Sequence, residues 1–245
     1  MKLLLEISYV GTAYHGFQVQ ENAVTVQGTL QKALEEFYGQ PLTVTGCSRT
    51  DAGVHARSFC LTIEGELFPN MPPEKLPLAM ASRLPSDISV RSAKAVPDGF
   101  HARYGVKYKE YEYYIWNAPT MDPFLFDRAW HMPVKLDEAQ MDRAAKTLIG
   151  KRDFAAFMAQ GSPVNSTVRE IKYFDCRREG DLVIIRVAAD GFLYNMVRIL
   201  SGTLVDISAG KIDISDIPGI TASKDRRRAG QTLPACGLYL NKVVY

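Results

Sequence analysis

Apolar and polar positions along the chain change their period in a repeating order. Leu3–Val10 alternates loosely in Leu, Ile, Tyr and Val, which predicts a strand. Gly11–Gln20 is rich in turn residues and carries Tyr14, His15, Gly16 and Phe17. Val26, Leu30, Ala33, Leu34 and Phe37 then recur at helical spacing, with Thr25 placed to cap the start and Gly39 and Pro41 to stop it. Two strand-like runs, Leu42–Thr45 and Ser58–Ile63, flank a loop much longer than a hairpin needs. The proline-rich stretch Pro69–Pro77 ends that hairpin. A short helix around Leu78–Leu84 and a strand over Ile88–Val96 complete a β-α-β-β-α-β order.

After a connection at Pro97–Tyr104 the same order begins again. Val106–Trp116 is a long aromatic strand, and Asn117–Pro133 is a loop with three prolines. Asp137 caps a helix whose stripe is Met141, Ala145 and Leu148, closed by Gly150. Lys151–Asn165 is a second long loop. Val168–Cys176 and Leu182–Ala188 form a hairpin turned by Arg178-Glu179-Gly180-Asp181. Leu193, Met196, Val197, Leu200 and Leu204 mark another helix, Lys211–Leu233 a polar loop, and Gly237–Val244 a closing strand. Two βαββαβ halves in series, 1–104 and 105–245, make an α+β fold with the ferredoxin-like pattern used twice. Right-handed crossovers set the helices on one face of each sheet. The opposite faces, or a cleft between the halves, are left for a ligand.

Composition narrows the class. The 245 residues are 47% hydrophobic and 23% charged, which is ordinary for a globular chain with a sizeable core. No run approaches about eighteen apolar residues, so no membrane span is expected. The N-terminus meets Glu6 after three leucines and reads as a strand, not a signal peptide. Cys47, Cys60, Cys176 and Cys236 are scattered without a CxxC pair, which suits a reducing cytoplasm. Net charge is only +2, so a nucleic-acid surface would have to come from local clusters. Lys224-Asp225-Arg226-Arg227-Arg228, Arg177-Arg178, and Lys107 with Lys109 are such clusters, though each also suits a solvated face.

Most familiar sites are missing. There is no GxxxxGK[ST] or GxGxxG phosphate loop, no HExxH, no HxE with PCxxC, and no GxSxG elbow. Neither a metal nor another cofactor is implied. His15, His55, His101 and His131 read as structural, with His55 nearest to the chemistry of the long loop. That loop, Gly46-Cys47-Ser48-Arg49-Thr50-Asp51-Ala52-Gly53-Val54-His55-Ala56-Arg57, crowds a carboxylate, two arginines and a histidine together. Asp51-Ala52-Gly53 is a good turn sequence and fixes one carboxylate at a loop tip, with Arg49 two residues behind. A plain solvated turn has the same spacing. Arg198 lies near the start of a helix, where a cation opposes the dipole by on the order of 0.3–1 kcal/mol. It therefore calls for a carboxylate: Asp51, or Asp206 or Asp190 in a purely structural pairing. Tyr111 alternates with Tyr113 on one strand face, a pattern that core packing also produces.

The same loop resembles the GRTDAGVHA signature of the tRNA pseudouridine synthase A family, with Cys47-Ser48 before the arginine as a minor departure. The likeness runs nearly the whole length. It includes Tyr9-Xaa-Gly11-Thr12-Xaa-Tyr14-Xaa-Gly16-Phe17-Gln18, Thr25-Val26-Gln27-Gly28, Phe100-His101-Ala102-Arg103 and Tyr111-Glu112-Tyr113. Further along come Asp153-Phe154-Ala155-Ala156-Phe157, Phe192-Leu193-Tyr194-Asn195-Met196-Val197-Arg198, and Ala229-Gly230-Gln231-Thr232-Leu233-Pro234 with Gly237-Leu238-Tyr239-Leu240. The resemblance implies a mixed, mainly antiparallel sheet with a central cleft. It implies isomerisation of uridine to pseudouridine at positions 38, 39 and 40 of the tRNA anticodon stem-loop, without a cofactor, by a homodimer. Asp51 would then start the exchange and Arg198 pair with it. Tyr111 would stack on the uracil or serve proton transfer at C5. Arg49 would fill the gap left by the flipped base. Arg57, His55, Arg226, Arg227 and Arg228 would face the RNA. Two other classes fit less well. An RNA-binding module of RRM type lacks its RNP1 signature here, and a hydrolytic nucleosidase would release free uracil; within the synthase class, the alternative is a related pseudouridine synthase acting on another RNA.

Overall fold

A computed structural model describes residues 1–68, 70–161 and 164–245. Pro69, in the predicted proline-rich stretch, and Ser162 and Pro163, in the predicted second long loop, lie outside the described residues. In chain order the elements are β1 (Lys2–Tyr9), α1 (Val26–Tyr38), β2 (Thr43–Gly46), β3 (His55–Glu64), α2 (Leu76–Met80), β4 (Ile88–Val96) and β5 (Tyr108–Trp116). They continue with β6 (Trp130–His131), α3 (Glu138–Thr147), β7 (Gly150–Asp153), β8 (Val168–Glu179), β9 (Leu182–Ala189), α4 (Met196–Ser208), α5 (Ile217–Ser223) and β10 (Leu238–Val244). The architecture is mixed α+β, as the pattern predicts, with mainly antiparallel strands, as the resemblance implies. The chain forms two compact units, Met1–Lys107 with Tyr239–Tyr245, and Tyr108–Leu238. The sequence had suggested a division after 104 with the last strand in the second half. The backbone instead pairs that strand with β3, through Tyr239↔His55 and Leu240↔Ala56.

In the first unit β1 lies between β4 and β3, antiparallel to both. The other edge of β3 is shared: β2 covers Leu61–Glu64, and β10 runs parallel to its first residues. This is why β3 begins at His55 and not at the predicted Ser58. Its first turn of pairing comes from a strand more than 180 residues away in sequence. Leu3, Leu5 and Ile7 of β1, Leu30 and Leu34 of α1, and Phe59, Leu61 and Ile63 of β3 are buried together as the core, each worth about 1.5–3 kcal/mol of apolar transfer. Phe17 stacks on Phe59 with centroids 4.0 Å apart. Thr25 caps α1 by accepting the Gly28 N–H at 3.2 Å, as predicted. The short helix starts two residues earlier than predicted, with Pro77 in its first turn, where a missing N–H is tolerated. It buries Leu76 and Met80 and leaves Leu78 outside.

In the second unit the order is β5-β9-β8-β7, all antiparallel, with β6 added parallel to β5. Strands β6 and β7 and helix α5 arise in segments the sequence had marked as loops. The β8–β9 hairpin is tighter than predicted: Glu179 pairs with Leu182, so Gly180-Asp181 is the whole turn. A positive φ at Gly180 suits that two-residue connection. Asp137 caps α3 by accepting the Gln140 N–H at 2.8 Å, and α4 is almost wholly buried. Among the described residues no helix is long and apolar enough to cross a membrane.

Candidate active-site elements

The Asp51 loop is held by its main chain. The Phe17 N–H donates to the Thr50 carbonyl and the Gly53 N–H to that of Tyr14, each at 3.2 Å, and the Val54 N–H closes a turn on the Asp51 carbonyl, also at 3.2 Å. Gly53, with φ 78°, occupies the third position of that turn, where a type II turn needs positive φ. The Thr50 hydroxyl meets the Tyr9 hydroxyl at 2.8 Å in the interior. Gly11 lies against the turn so closely that a Cβ there would sit 2.0 Å from the Val54 carbonyl oxygen. Asp51 itself is half-buried and Arg49 is exposed. A carboxylate with a braced backbone and a partly open side chain suits an incoming ligand better than a plain solvated turn does.

His55 has the structural role that the residues alone suggest, and not the RNA-facing one that the resemblance implies. It is 0% exposed. Its Nδ1 accepts the Gly11 N–H at 3.0 Å, and its ring lies 4.6 Å from that of Tyr239. Accepting at Nδ1 requires the neutral ring with its proton on Nε2. His55 therefore braces the loop from inside and is not an RNA-facing residue. Arg57 is exposed, with its guanidinium 5.4 Å from the Tyr239 ring.

In the second unit Tyr111 stands on β5, opposite Val187 of β9, buried and edge-on to Phe192 at 5.0 Å. Tyr113, two residues on and so on the same face, is fully buried and donates to the Pro234 carbonyl at 2.7 Å. Burial holds its phenol well above the ordinary value. Arg198 is the third residue of α4. Its Nε donates to the Leu233 carbonyl at 2.6 Å and its Nη1 to Asn195 Oδ1 at 2.9 Å. Bonds from a charged donor are worth about 1.5–3 kcal/mol each, enough to offset the unfavourable dipole at this end of the helix. The two carboxylates weighed as structural partners have other bonds: Asp206 accepts from Lys211 and the Gln231 N–H, and Asp190 from the Glu170 N–H.

Leu233 is in position because residues 229–234 lie directly on α4. The Gly230 N–H donates to Thr203 Oγ1 at 2.9 Å. A Cβ on Gly202 would come within 1.9 Å of the Gln231 carbonyl oxygen, and one on Gly230 within 2.4 Å of the Thr203 nitrogen. Only glycine at both positions permits this approach.

The basic run is largely engaged inside its own unit. Lys224 pairs with Asp153 at 2.8 Å, and Arg226 bonds Thr232 Oγ1 and the Ala229 carbonyl. Arg227 clamps Asp225 at 2.8 Å and Arg228 bonds the Gly219 carbonyl. Arg227 and Arg228 remain exposed, whereas Arg226 is half-buried. Sequence reasoning gave no role to Tyr9, Thr50, Gly11, Asn195, Gly202 or Gly230. Asn195 acts on Arg198 three residues on, whereas the others act through partners distant in sequence, which no local pattern reveals.

Comparison with known proteins finds a likeness over the whole chain. A family model described as tRNA pseudouridine synthase matches residues 7–105 and 144–245. A protein of Ruminiclostridium cellulolyticum named tRNA pseudouridine synthase A is 45% identical over 245 residues, covering 100% of this chain and 99% of that protein. One of Thermoanaerobacter sp. with the same name is 44% identical over 243 residues, 99% of each chain. Another, of Bacillus licheniformis, is 40% identical over 247 residues, covering 100% and 99%.

Proposed function

The chain belongs to the tRNA pseudouridine synthase family, and from that premise we propose that Asp51 is the catalytic carboxylate of a uridine isomerase acting in the tRNA anticodon stem-loop, at positions 38, 39 and 40. The observation that carries this reading is the Asp51 turn, fixed by main-chain bonds to Phe17, Tyr14 and Val54 while its side chain stays partly open. The reaction breaks the bond from uracil N1 to ribose C1′ and forms one from C5 to C1′. The C5 hydrogen leaves as a proton and N1 gains one, so nothing is added overall. Tyr111 and Arg198 take part in the same reaction: Tyr111 offers a ring and a hydroxyl near C5, and Arg198 a guanidinium held by Leu233 and Asn195.

A uridine stacked in a stem must leave the helix to be reached, at a cost of a few kcal/mol. Arg49, exposed and two residues before Asp51, fills the vacated place. Arg57, Arg227 and Arg228 contact phosphates and read shape more than sequence. The enzyme acts as a homodimer in the cytoplasm, where its four thiols suit the reducing conditions. The test is tritium release from tRNA transcripts labelled at uridine C5, with wild type and Asp51→Asn side by side. Release by wild type and none by the variant supports the reading. Free uracil among the products would show hydrolysis instead, and binding without release would leave an RNA-binding module.

A further inference from the structure

The matched segment Phe100-His101-Ala102-Arg103 has no part in the chemistry above, yet it forms one wall of a cavity of about 200 Å³. The cavity is also lined by Gly46, Ser48 and Arg49 of the loop that carries Asp51, and by Gln27. The whole cavity lies within the first unit. None of its lining residues is acidic, whereas two are arginines. An anion is therefore the natural occupant.

The wall at 101–104 is preformed. His101 Nδ1 accepts the N–H groups of Arg103 and Tyr104 at 3.1 and 3.3 Å, and the Gly105 N–H returns to the His101 carbonyl at 2.9 Å. Ala102 is tied down by the Tyr245 hydroxyl at 2.8 Å, and Phe100 packs on the Tyr245 ring at 5.0 Å. On this anchored turn the Tyr104 ring lies 4.3 Å from the His101 ring, with the Arg103 guanidinium 5.8 Å from its centroid. Tyr104 is nonetheless 77% exposed. Packing does not explain an aromatic ring held rigidly in water beside two arginines. A flat ring with a neighbouring cation is how proteins hold an unstacked nucleotide, with the base on the ring and the phosphate on the guanidinium.

We propose that this cavity is a second nucleotide subsite, taking the RNA nucleotide next to the target along the same strand, with its base on Tyr104 and its phosphate on Arg103. The proposal rests on the uridine isomerase reading, which puts Arg49 into the helix and so brings the adjoining strand past this wall. About 200 Å³ is below the usual range for a drug-sized ligand, about 300–1,000 Å³, and suits one small planar group.

The experiment measures equilibrium binding of a labelled, unmodified tRNA transcript across a salt series, and separately tritium release by wild type. Tyr104→Ala is expected to weaken binding about ten-fold, the loss of one base–aromatic stack, whereas Tyr104→Phe binds within about two-fold of wild type. Arg103→Gln is expected to lower the slope of log affinity against log salt by about 1. Both side chains are exposed, so melting temperature should not move, which separates loss of a contact from loss of fold. Wild-type affinity and slope in Tyr104→Ala and Arg103→Gln would overturn the subsite. Since binding is read without turnover, absence of tritium release by wild type strikes the isomerase reading alone, and the binding result still decides the subsite.

Discussion

Replacing Gly11 by alanine tests whether the packing behind the Asp51 turn aims the carboxylate. The new methyl carbon would lie 2.0 Å from the Val54 carbonyl oxygen and 2.7 Å from its carbon. An ordinary carbon–oxygen contact is about 3.3 Å, so the two segments must part by roughly 1.3 Å. Gly11 is held by its carbonyl to the Tyr14 N–H at 2.9 Å and by its N–H to His55, the residue after Val54. The outer part of the turn, Asp51 to Gly53, is less buried than Gly11 or Val54 and is what gives way. Overpacking of this kind destabilises by about 1–3 kcal/mol, and at 2–4 °C per kcal/mol for a chain of this size the melting point should fall about 2–12 °C. A displacement near 1 Å of a catalytic group lowers the rate about 10²-fold. Single-turnover tritium release at saturating enzyme isolates the chemical step from binding. Gly99→Ala, whose methyl would meet open space, serves as control and should match wild type. If Gly11→Ala melts lower yet turns over at the wild-type rate, this packing does not aim Asp51.

Three further outcomes follow from other parts of the molecule. Arg198→Lys keeps the charge but loses the Nε donor to Leu233, so single-turnover release should fall about 10²-fold with tRNA affinity little changed; a near-normal rate would make Arg198 structural. Bonding to the Lys224 ammonium, to Thr167 and to the Ala155 N–H holds the Asp153 carboxyl below its ordinary 3.8. That stabilisation is full above the ordinary value and lost as pH falls through the lower folded value. Asp153→Asn should therefore melt below wild type at pH 7, by up to about 1 kcal/mol for a surface pair, and the gap should close below about pH 4; a gap that widens in acid would refute the sign. Burial pushes the Cys60 and Cys176 thiols up to about 12, so a thiol reagent at pH 8 should leave both unmodified in the native protein and react first at Cys236, the least buried. Early labelling of Cys60, read by mass spectrometry, would contradict this.

Elements whose signals are local were legible in the sequence. Thr25 and Asp137 cap helices through their own side chains, and β4 has the predicted bounds because its flanks are marked by turn residues. What failed depends on distant partners. Ser58 looked like the start of β3 because nothing nearby reveals that β10 will pair with His55. Strands β6 and β7 are short additions to sheets already formed, with two and four residues, too few for periodicity to register. Only the resemblance places His55 against RNA; the residues alone read it as structural. Its burial follows from the β3–β10 pairing and from Gly11, neither visible from the loop itself. The run at 224–228 keeps Lys224, Arg227 and Arg228 exposed, as a solvated face would, but three of its side chains also reach Asp153, Gly219 and Thr232 in other segments, which the run itself does not show.

Asp51 and Arg198 share a structural logic that spacing could not reveal. Each stands on a backbone secured by other backbone: Asp51 by Phe17, Tyr14 and the close approach of Gly11, and Arg198 by the Leu233 N–H, which donates to its carbonyl at 3.3 Å where Gly202 and Gly230 let two segments touch. Main-chain bonds satisfy the polar groups of an irregular segment without using its side chains. They also fix position without the rotamer freedom of long side chains. A group that must meet a large, flexible RNA gains from this arrangement, since its orientation is set before the substrate arrives. The same reasoning applies to the glycines beside the chemical groups. Any other residue at 11, 202 or 230 would push apart the segments that hold the carboxylate or the guanidinium in place, leaving both present but misaimed.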